Sequence, residues 1–330
     1  MNSRERFLET MRYGSPDRVP YFEEGIRKEV LREWRKQSLP KDADIAQIFP
    51  SDQREVIELD LEPRPKFSKW PRSRSDLKEL FRRLLPYGRG RLPRGWAKKI
   101  SSWKNRDYPL MLRIHRGFFL SMGVYDWSRF SELMDLLIDD PEFVREAMTI
   151  QGKFAAGLAE RVLKDVVVDA VLFSEPIGGN YGSLISPQMY EEMVLRSYEP
   201  ILDVLHKYKV ETIVLVTYAN ARALIPSMLK WGFNCLWACE VNIEEMDYRN
   251  IRQEFGRELR LIGGIDLDAL RRDKDKIRSE IEEKVPPLVA DGGYVPLADG
   301  RIRSDVPYEN YVYYRELLQK VTQMEMSKMY

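Results

Sequence analysis

The sequence predicts a closed (β/α)8 barrel, and three observations support this fold class. The chain has 330 residues, a length that fits one barrel domain over residues 1–330. From about residue 165 onward, five strand-like segments alternate with helical segments, which indicates parallel strands joined by right-handed crossovers. Three further strand-like segments in the front part bring the total to eight. An open doubly wound sheet is the alternative.

The front part contains the less regular elements. "MNSRERFLET" reads as a charged helix with Ser3 as its N-cap. Strand-like segments lie at 18–24, 55–63 and 110–117. Residues 64–107 break the alternation and are rich in Arg, Lys and Trp, which predicts an inserted basic excursion with one short helix at 76–85. This excursion is either a solvated surface patch or a lid that attracts an anionic ligand.

The back part alternates regularly. Its five predicted strands lie at 166–176, 212–218, 235–240, 259–266 and 292–299. Helical segments lie at 186–208, 221–232, 242–256, 273–292 and 307–321. The first of these helices starts with Ser186 as N-cap and Pro187 at its first position, and Gly232 ends the second.

Composition excludes several classes of function. The 53 basic and 52 acidic residues give a net charge of +1, which favours neither nucleic acid nor a membrane surface as partner. No apolar run approaches a membrane span, and the start lacks a signal-peptide core, so a cytoplasmic protein is expected. Cys235 and Cys239 share one strand face, and without a second pair they predict ordinary reduced thiols.

Candidate site residues follow from the rule that barrels of this class carry their sites at the carboxyl ends of the strands. We expect Glu175, Tyr218 and Asp299 to be catalytic. The expected substrate-binding residues are Glu24, Arg113, His115, Asn220, Glu240, Asp266 and Arg301. Each one alone can instead be structural: Asp266 can cap a helix, and His115 can bond to the backbone. Strand alternation places Arg113 and His115 on the same face as Met111. Dinucleotide, P-loop, nucleophile-elbow and H-E-x-x-H motifs are absent from the sequence.

Three stretches resemble the uroporphyrinogen decarboxylase superfamily. They are "RERFLETMRYGSPDRVPYFEE", "LISPQMYEEMVLRSYEPILDVLHKY" and the segment from "LRLIGGIDLDAL" to "VPYENYVYYRELL". The resemblance implies a (β/α)8 barrel and one of two chemistries. One is cofactor-free decarboxylation of porphyrinogen acetate side chains. The other is methyl transfer to or from a corrinoid, with zinc activating a thiol or a substrate.

The motif residues depart from both branches. Glu23 and Glu24 stand where the decarboxylases carry an arginine-rich segment, so we expect a polyanionic porphyrinogen to be repelled. Val216 and Tyr218 occupy the positions of the His and Cys zinc ligands of the methyltransferases, and the last strand offers Asp299 instead of a cysteine. The resemblance therefore implies that the family zinc is not expected here. Tyr218 either donates a proton or stabilises an oxyanion, or it only fills the space that the zinc leaves.

The expected function is that of a superfamily enzyme acting on a small, non-porphyrin substrate. Methyl transfer (demethylation) to a corrinoid carried by a partner protein is the first expectation, with Glu175 or Asp299 protonating the leaving atom. Decarboxylation is the alternative, with Arg113 or Arg301 holding the carboxylate. A non-catalytic ligand-binding barrel is the third. No tightly bound cofactor is expected, and the protein is expected to be a homodimer or a monomer.

Overall fold

A parallel sheet of seven strands forms the centre of the computed structural model, which describes residues 1–240 and 244–329. The order of the strands in the sheet is their order in the chain, and every neighbouring pair is parallel. The strands are β1 (Glu55–Glu58), β2 (Leu110–His115), β3 (Ala170–Glu175), β4 (Ile213–Tyr218), β5 (Cys235–Cys239), β6 (Arg260–Ile265) and β7 (Tyr294–Ala298). A small hairpin, Gly178–Gly179 with Gly182–Ser183, follows β3.

The strand predicted at 18–24 is wrong, because these residues, all of them described, form no strand. Pro20 has no N–H to donate to a ladder, and Tyr21 instead exchanges hydrogen bonds with Asp52. The Tyr21 N–H donates to Asp52 Oδ2 at 2.8 Å, and the Tyr21 carbonyl accepts from the Asp52 N–H at 2.8 Å. Just after this segment, one isolated bridge pairs Ile26 with Ile302, beyond the end of the last strand. The finding is therefore a mixed α/β fold with a curled seven-stranded parallel sheet.

Alternate residues of the strands form an inner core, which shows that the sheet curls around a lumen. The members are Met111, Ala170, Leu172, Val214, Val216, Cys235, Trp237, Cys239, Ile262, Val295 and Leu297, joined by Phe7, Met11 and Phe22. Cys235 and Cys239 are free and share this inner face, as predicted. The strand residues that alternate with the inner-core residues, such as Leu236 and Ala238, face an outer core, which lies between the sheet and the helices.

Helix α1 (Ser3–Met11) closes the amino-terminal end of the lumen, where it inserts Phe7 and Met11 into the inner core. Its N-cap is Asn2, not Ser3 as predicted. The Asn2 side chain accepts from the Glu5 N–H, and the Glu5 side chain accepts from the Asn2 N–H. This reciprocal capping box satisfies two donors that a serine one residue later would leave unpaired.

Thirteen further helices surround the sheet in the described residues. They are α2 (Lys28–Arg35), α3 (Ile45–Ile48), α4 (Leu77–Arg83), α5 (Trp96–Trp103), α6 (Phe118–Ser121), α7 (Trp127–Asp139), α8 (Pro141–Leu163), α9 (Pro187–Met189), α10 (Arg196–Lys207), α11 (Ile225–Lys230), α12 (Tyr248–Phe255), α13 (Lys274–Asp291) and α14 (Tyr308–Met329). Short 3-10 turns lie at Arg74–Asp76, Arg222–Leu224, Glu244–Met246, Gly256–Glu258 and Leu267–Arg271. None of the described helices is long and apolar enough to cross a membrane.

The helix predicted at 186–208 is confirmed and contains a π-helical turn. Ser186 accepts from the Met189 N–H at 3.1 Å, and Pro187 opens the helix. The turn at Tyr190–Leu195 joins α9 to α10, so the three segments form one continuous helix. Residues 242 and 243, at the start of the predicted helix 242–256, lie outside the described residues; its remainder contains the 3-10 turn and α12.

The excursion at 64–107 contains two helices, α4 and α5, where one was predicted. The second depends on a tertiary contact, since Trp103 donates from Nε1 to Glu55 Oε2 at 2.8 Å. Arg91 anchors the excursion, because its guanidinium is buried and donates to the carbonyls of residues 60, 62, 83 and 85. The excursion is thus packed on the sheet's flank around a buried arginine.

Candidate functional site

Two arginine–glutamate pairs lie on the inner side of the sheet. Arg54 precedes β1, stacks its guanidinium on Trp237 at 4.8 Å and on Phe22 at 5.1 Å, and forms an ion pair with Glu24. Arg113 on β2 donates from Nε to Glu58 Oε1 at 3.0 Å. We call the space bordered by these pairs and by Tyr218 and Cys239 the lumen mouth. Both cations at this place already have an anionic partner.

Tyr218 and Cys239 complete the lumen mouth and are paired in register on β4 and β5. Tyr218 is 39% exposed, and partial burial together with the nearby Cys239, Glu24 and Glu240 raises the pKa of its phenol. Burial and the carboxylates of Glu24, Asp299 and Glu240 raise the pKa of the Cys239 thiol to about 12. Both groups therefore keep their protons at neutral pH, so the phenol can donate and the thiol is a weak nucleophile.

A second polar space, the rim cavity, lies beyond the ends of β5, β6 and β7. It has a volume of about 230 Å³ and is lined by Asn180, Ala219, Glu240, Asp266, Leu267, Asp268, Asp299 and Arg303. Arg303 approaches Asp268 at 3.4 Å and Glu240 at 3.9 Å. Asp299 is buried, and its Oδ1 accepts from the Leu267 N–H at 2.9 Å. The cavity brings three predicted site residues together: Glu240, Asp266 and Asp299.

Two residues of the predicted set hold loops at this rim. Asp266 is an N-cap, as the sequence allowed, and accepts from the Asp268 N–H at 2.8 Å. Asn220 Oδ1 accepts from the Arg222 N–H at 3.1 Å, and the Asn220 N–H donates to the Gly179 carbonyl at 3.0 Å. Asn220 therefore fixes the turn after β4 against the small hairpin.

Arg301 is exposed and does not line the rim cavity, whereas Arg303 does. Both arginines follow β7 in an irregular loop, and the sequence carries no signal that separates them. A position rule based on strand ends selects the first arginine after Asp299, and here the backbone directs the second one to the cavity.

Glu175 lies on the outer face of β3, because Leu172 faces the lumen while Phe173 packs in the outer core. It is fully buried and accepts from Tyr198 Oη at 2.5 Å and from the Phe118 N–H at 2.8 Å. Burial raises the pKa of its carboxyl to about 7, an effect that the two hydrogen bonds only partly oppose. Glu175 thus joins β3 to α10 and to the start of α6.

His115 lies beside Glu175 and not in the lumen, so the predicted shared face with Arg113 is wrong. An irregularity in β2 between Arg113 and His115 shifts the pairing and turns the imidazole outward. Its ring centre lies 4.5 Å from that of Tyr198, and Nδ1 accepts from the Gly117 N–H at 3.0 Å. Burial, with a contribution from Arg116, lowers the pKa of His115 to about 3, so the ring is neutral.

Arg116, at the end of β2, is a further residue that the sequence analysis missed. Its Nη1 forms an ion pair with Glu62 and donates to Tyr125 Oη at 2.8 Å. Its Nε and Nη2 are buried and find no acceptor among the described residues. Arg54 was missed because it precedes its strand, on the side opposite to the one that the position rule selects.

The donor atoms described near the lumen are not arranged as a metal site. The described residues contain no group of three or more His, Cys, Asp or Glu side chains arranged to hold a metal ion. At the positions where the resemblance implies zinc ligands, Val216 has no donor atom and Tyr218 offers a protonated phenol. The residues described here therefore do not fit the zinc that the superfamily methyltransferases use.

Comparison with known proteins identifies one family. The sequence profile of uroporphyrinogen decarboxylase (URO-D) matches residues 122–313, more than half of the chain. Among solved structures, a uronate isomerase from Bacillus halodurans C-125 is similar at 9% identity with a TM-score of 0.37. That match covers 78% of this chain, which spans 61% of the isomerase's length. The curated proteins contain no match to the sequence.

Proposed function

The chain belongs to the uroporphyrinogen decarboxylase family, and from this premise we propose that it is an enzyme acting on a small, non-porphyrin substrate. The proposed reaction is methyl transfer from the substrate to a corrinoid that a partner protein carries. The reaction occurs at the lumen mouth and the adjoining rim cavity. We also propose that residues 19–26, although they form no regular strand, take the place of an eighth strand and complete the barrel, since Phe22 lies in the inner core and Ile26 bridges to Ile302.

One observation supports the exclusion of a porphyrinogen: both arginines of the lumen mouth are already neutralised. Arg54 pairs with Glu24 and Arg113 pairs with Glu58. Glu23, the other acidic residue of this segment, pairs with Arg315 at 2.5 Å. A substrate with many carboxylates requires unpaired cations, and binding to Arg54 would break its ion pair and leave the partly buried Glu24 without a partner. The rim cavity adds four carboxylates against one guanidinium.

The proton donors at the site support transfer of a methyl group away from oxygen, nitrogen or sulfur. A reduced corrinoid supplies, when bound, the nucleophile that takes the methyl group. The carbon–heteroatom bond breaks with its electron pair on the heteroatom, which then takes a proton from Tyr218. Tyr218 suits this role because its phenol is protonated and reaches solvent at the mouth. No step is assigned to zinc.

The other predicted residues have proposed roles around these donors. Glu24, Arg113, Glu240 and Asp266 border the space that the substrate fills. Asn220 holds the turn after β4 against the small hairpin, and Arg301, exposed in the loop after β7, is assigned no contact with the substrate. Glu175, proposed from sequence as an acid, faces the helices with His115, so we assign both to holding the ends of β2 and β3 in position.

Decarboxylation is the second candidate, and Arg116 is the observation that favours it. Its unpartnered guanidinium edge fits a substrate carboxylate. In this reaction the carbon–carboxylate bond breaks, carbon dioxide leaves, and Tyr218 protonates the carbon that keeps the electron pair.

The test incubates the purified protein with reduced cobalamin and a panel of methanol, methylamines, dimethyl sulfide and methoxybenzoates. We expect demethylation of one substrate. Nuclear magnetic resonance measures the loss of the methyl group, and the visible spectrum of the corrinoid measures its methylation. Tyr218→Phe should lower turnover by about 10²- to 10⁴-fold, while Tyr181→Phe, at the fully exposed hairpin tip, should not. Conversion of uroporphyrinogen would refute the proposed substrate class. Carbon dioxide release without demethylation would select decarboxylation, and binding without turnover would indicate a ligand-binding barrel.

A further inference from the structure

Arg116 occupies a fixed position at the carboxyl end of β2. The next residue, Gly117, has a φ of +88° and lies so close to β3 that a Cβ there would meet the Ser174 carbonyl oxygen at 2.4 Å. Glu175 accepts from the N–H of Phe118, the following residue. These contacts hold the backbone on the carboxyl side of Arg116, so the direction in which its side chain leaves the strand is set by the sheet.

Among the described residues, the guanidinium of Arg116 has protein partners on one side only. Nη1 contacts Glu62 and Tyr125, while Nε and Nη2 are buried with no acceptor in the described part of the chain. Four other arginines in that part have a buried, unpartnered Nε, but Arg116 is the one with two such nitrogens. A buried charged donor left without an acceptor costs about 1–3 kcal/mol or more, so a ligand that supplies acceptors there is favoured.

The geometry of the unused edge points to a carboxylate. The N–H bonds of Nε and Nη2 lie side by side in the guanidinium plane, and two parallel donors match the two oxygens of a carboxylate. Glu62 already shares the cation, so a singly charged carboxylate meets less repulsion than a doubly charged phosphate. The arginines of the lumen mouth, Arg54 and Arg113, are already paired with glutamates.

Two aromatic rings flank the guanidinium and define the approach. Arg116 Cζ lies 6.0 Å from the centre of the Trp70 ring and 5.8 Å from that of Tyr125. Trp70 is seated against Gly123, where a Cβ would meet the indole at 2.1 Å. Tyr125 is 57% exposed and is held by the hydrogen bonds of its hydroxyl group to Arg116 and Glu62, so it is the ring that can move. A ligand at the unused edge would displace Tyr125 and pack against Trp70 as a fixed apolar wall.

We infer that Arg116 is an anion-binding residue that takes the carboxylate of a small aromatic or aliphatic acid through Nε and Nη2. This inference rests on the proposed small-molecule activity and deepens it, because it gives the substrate a carboxylate that remains bound while another part of the molecule reacts. Trp70 and Tyr125 contact the body of that acid. The basic excursion contributes one wall through Trp70.

Binding is tested without turnover, so that its outcome is separate from that of the demethylation assay. Benzoate, acetate and inorganic phosphate are titrated into the full-length protein by calorimetry at constant ionic strength. We expect saturable binding of benzoate, weaker binding of acetate, and no competition from phosphate. Arg116→Gln should weaken benzoate binding by at least about 30-fold and Arg116→Lys by about 10-fold, because an ammonium cannot make the paired contact. Arg82→Gln, an exposed arginine on α4, is the matched control and should bind as the wild type does.

Circular dichroism at the titration temperature establishes that each variant is folded, and Arg116→Lys retains the charge if Arg116→Gln does not fold. The inference is overturned if none of the carboxylates binds the wild type, if both Arg116 variants bind benzoate as tightly as the wild type, or if phosphate displaces benzoate. Benzoate binding without any demethylation or decarboxylation would leave this inference standing while refuting the proposed reactions.

Discussion

Glu175→Gln should change how the stability of the protein depends on pH. The carboxyl group has an ordinary pKa of 4.5 and, buried beside Tyr198, Tyr190 and His115, a folded-state pKa of about 7. A carboxyl whose pKa rises on folding contributes stability that is present below pH 4.5 and is lost as the pH rises through 7. The full difference corresponds to about 3 kcal/mol, of which about 2.5 kcal/mol falls between pH 5 and pH 8.

The glutamine variant keeps the shape of the side chain and removes this titration. The melting temperature of the variant minus that of the wild type should therefore rise by about 4 °C between pH 5 and pH 8. His115, whose pKa falls to about 3, stabilises the fold as the pH rises toward 6.5, but it does so in both proteins and cancels in the difference. Glu192→Gln, exposed in the π-helical turn before α10, is the matched control. A melting-temperature difference that stays constant with pH for Glu175→Gln would refute the reasoning.

Two further substitutions test packing and a buried ion pair by urea unfolding. Gly152→Ala should lower stability by about 2–3 kcal/mol, because a Cβ there would lie 1.8 Å from the Ser197 carbonyl oxygen. The control Gly300→Ala should have little effect, because the atom nearest to its Cβ would lie at 3.7 Å. Equal effects of the two substitutions would contradict this account of the helix contact. Asp169→Ala should cost about 3–5 kcal/mol, because it leaves the buried guanidinium of Arg106, now 2.8 Å from the carboxylate, without its counter-ion. A loss below about 1 kcal/mol would show that this pair contributes no more than a surface one.

The back half of the sheet could be predicted because its local signals agree with one another. The run Ile213–Val216 is apolar and β-branched or leucine, and it is followed by a turn and a helix that Gly232 ends. Ser186 and Pro187 mark a helix start without any tertiary information. Where capping, periodicity and turn residues all indicate the same element, the ends differ from the prediction by only a few residues.

The parts that were not predicted depend on contacts between distant segments. Residues 18–24 have strand-like composition, but Tyr21 bonds to Asp52 instead of to a neighbouring strand. The irregularity in β2 that turns His115 outward leaves no mark in a pattern of alternating residues. Position at a strand end located the general region of the site. Selecting Arg303 over Arg301, or recognising Arg54, required the path of the backbone in three dimensions.

The pairing of Glu23 with Arg315 has a consequence for biosynthesis. Arg315 also donates to the Pro50 carbonyl at 2.6 Å, so α14 holds both the segment around Glu23 and the approach to β1. These partners are 292 residues apart in the chain. At a synthesis rate of roughly 5–20 residues per second, the early segment waits on the order of 15–60 s for its counter-ion. During translation, Glu23 therefore remains a solvated carboxylate in a segment that α14 has not yet anchored. Chaperones that bind nascent chains have that interval in which to bind this segment.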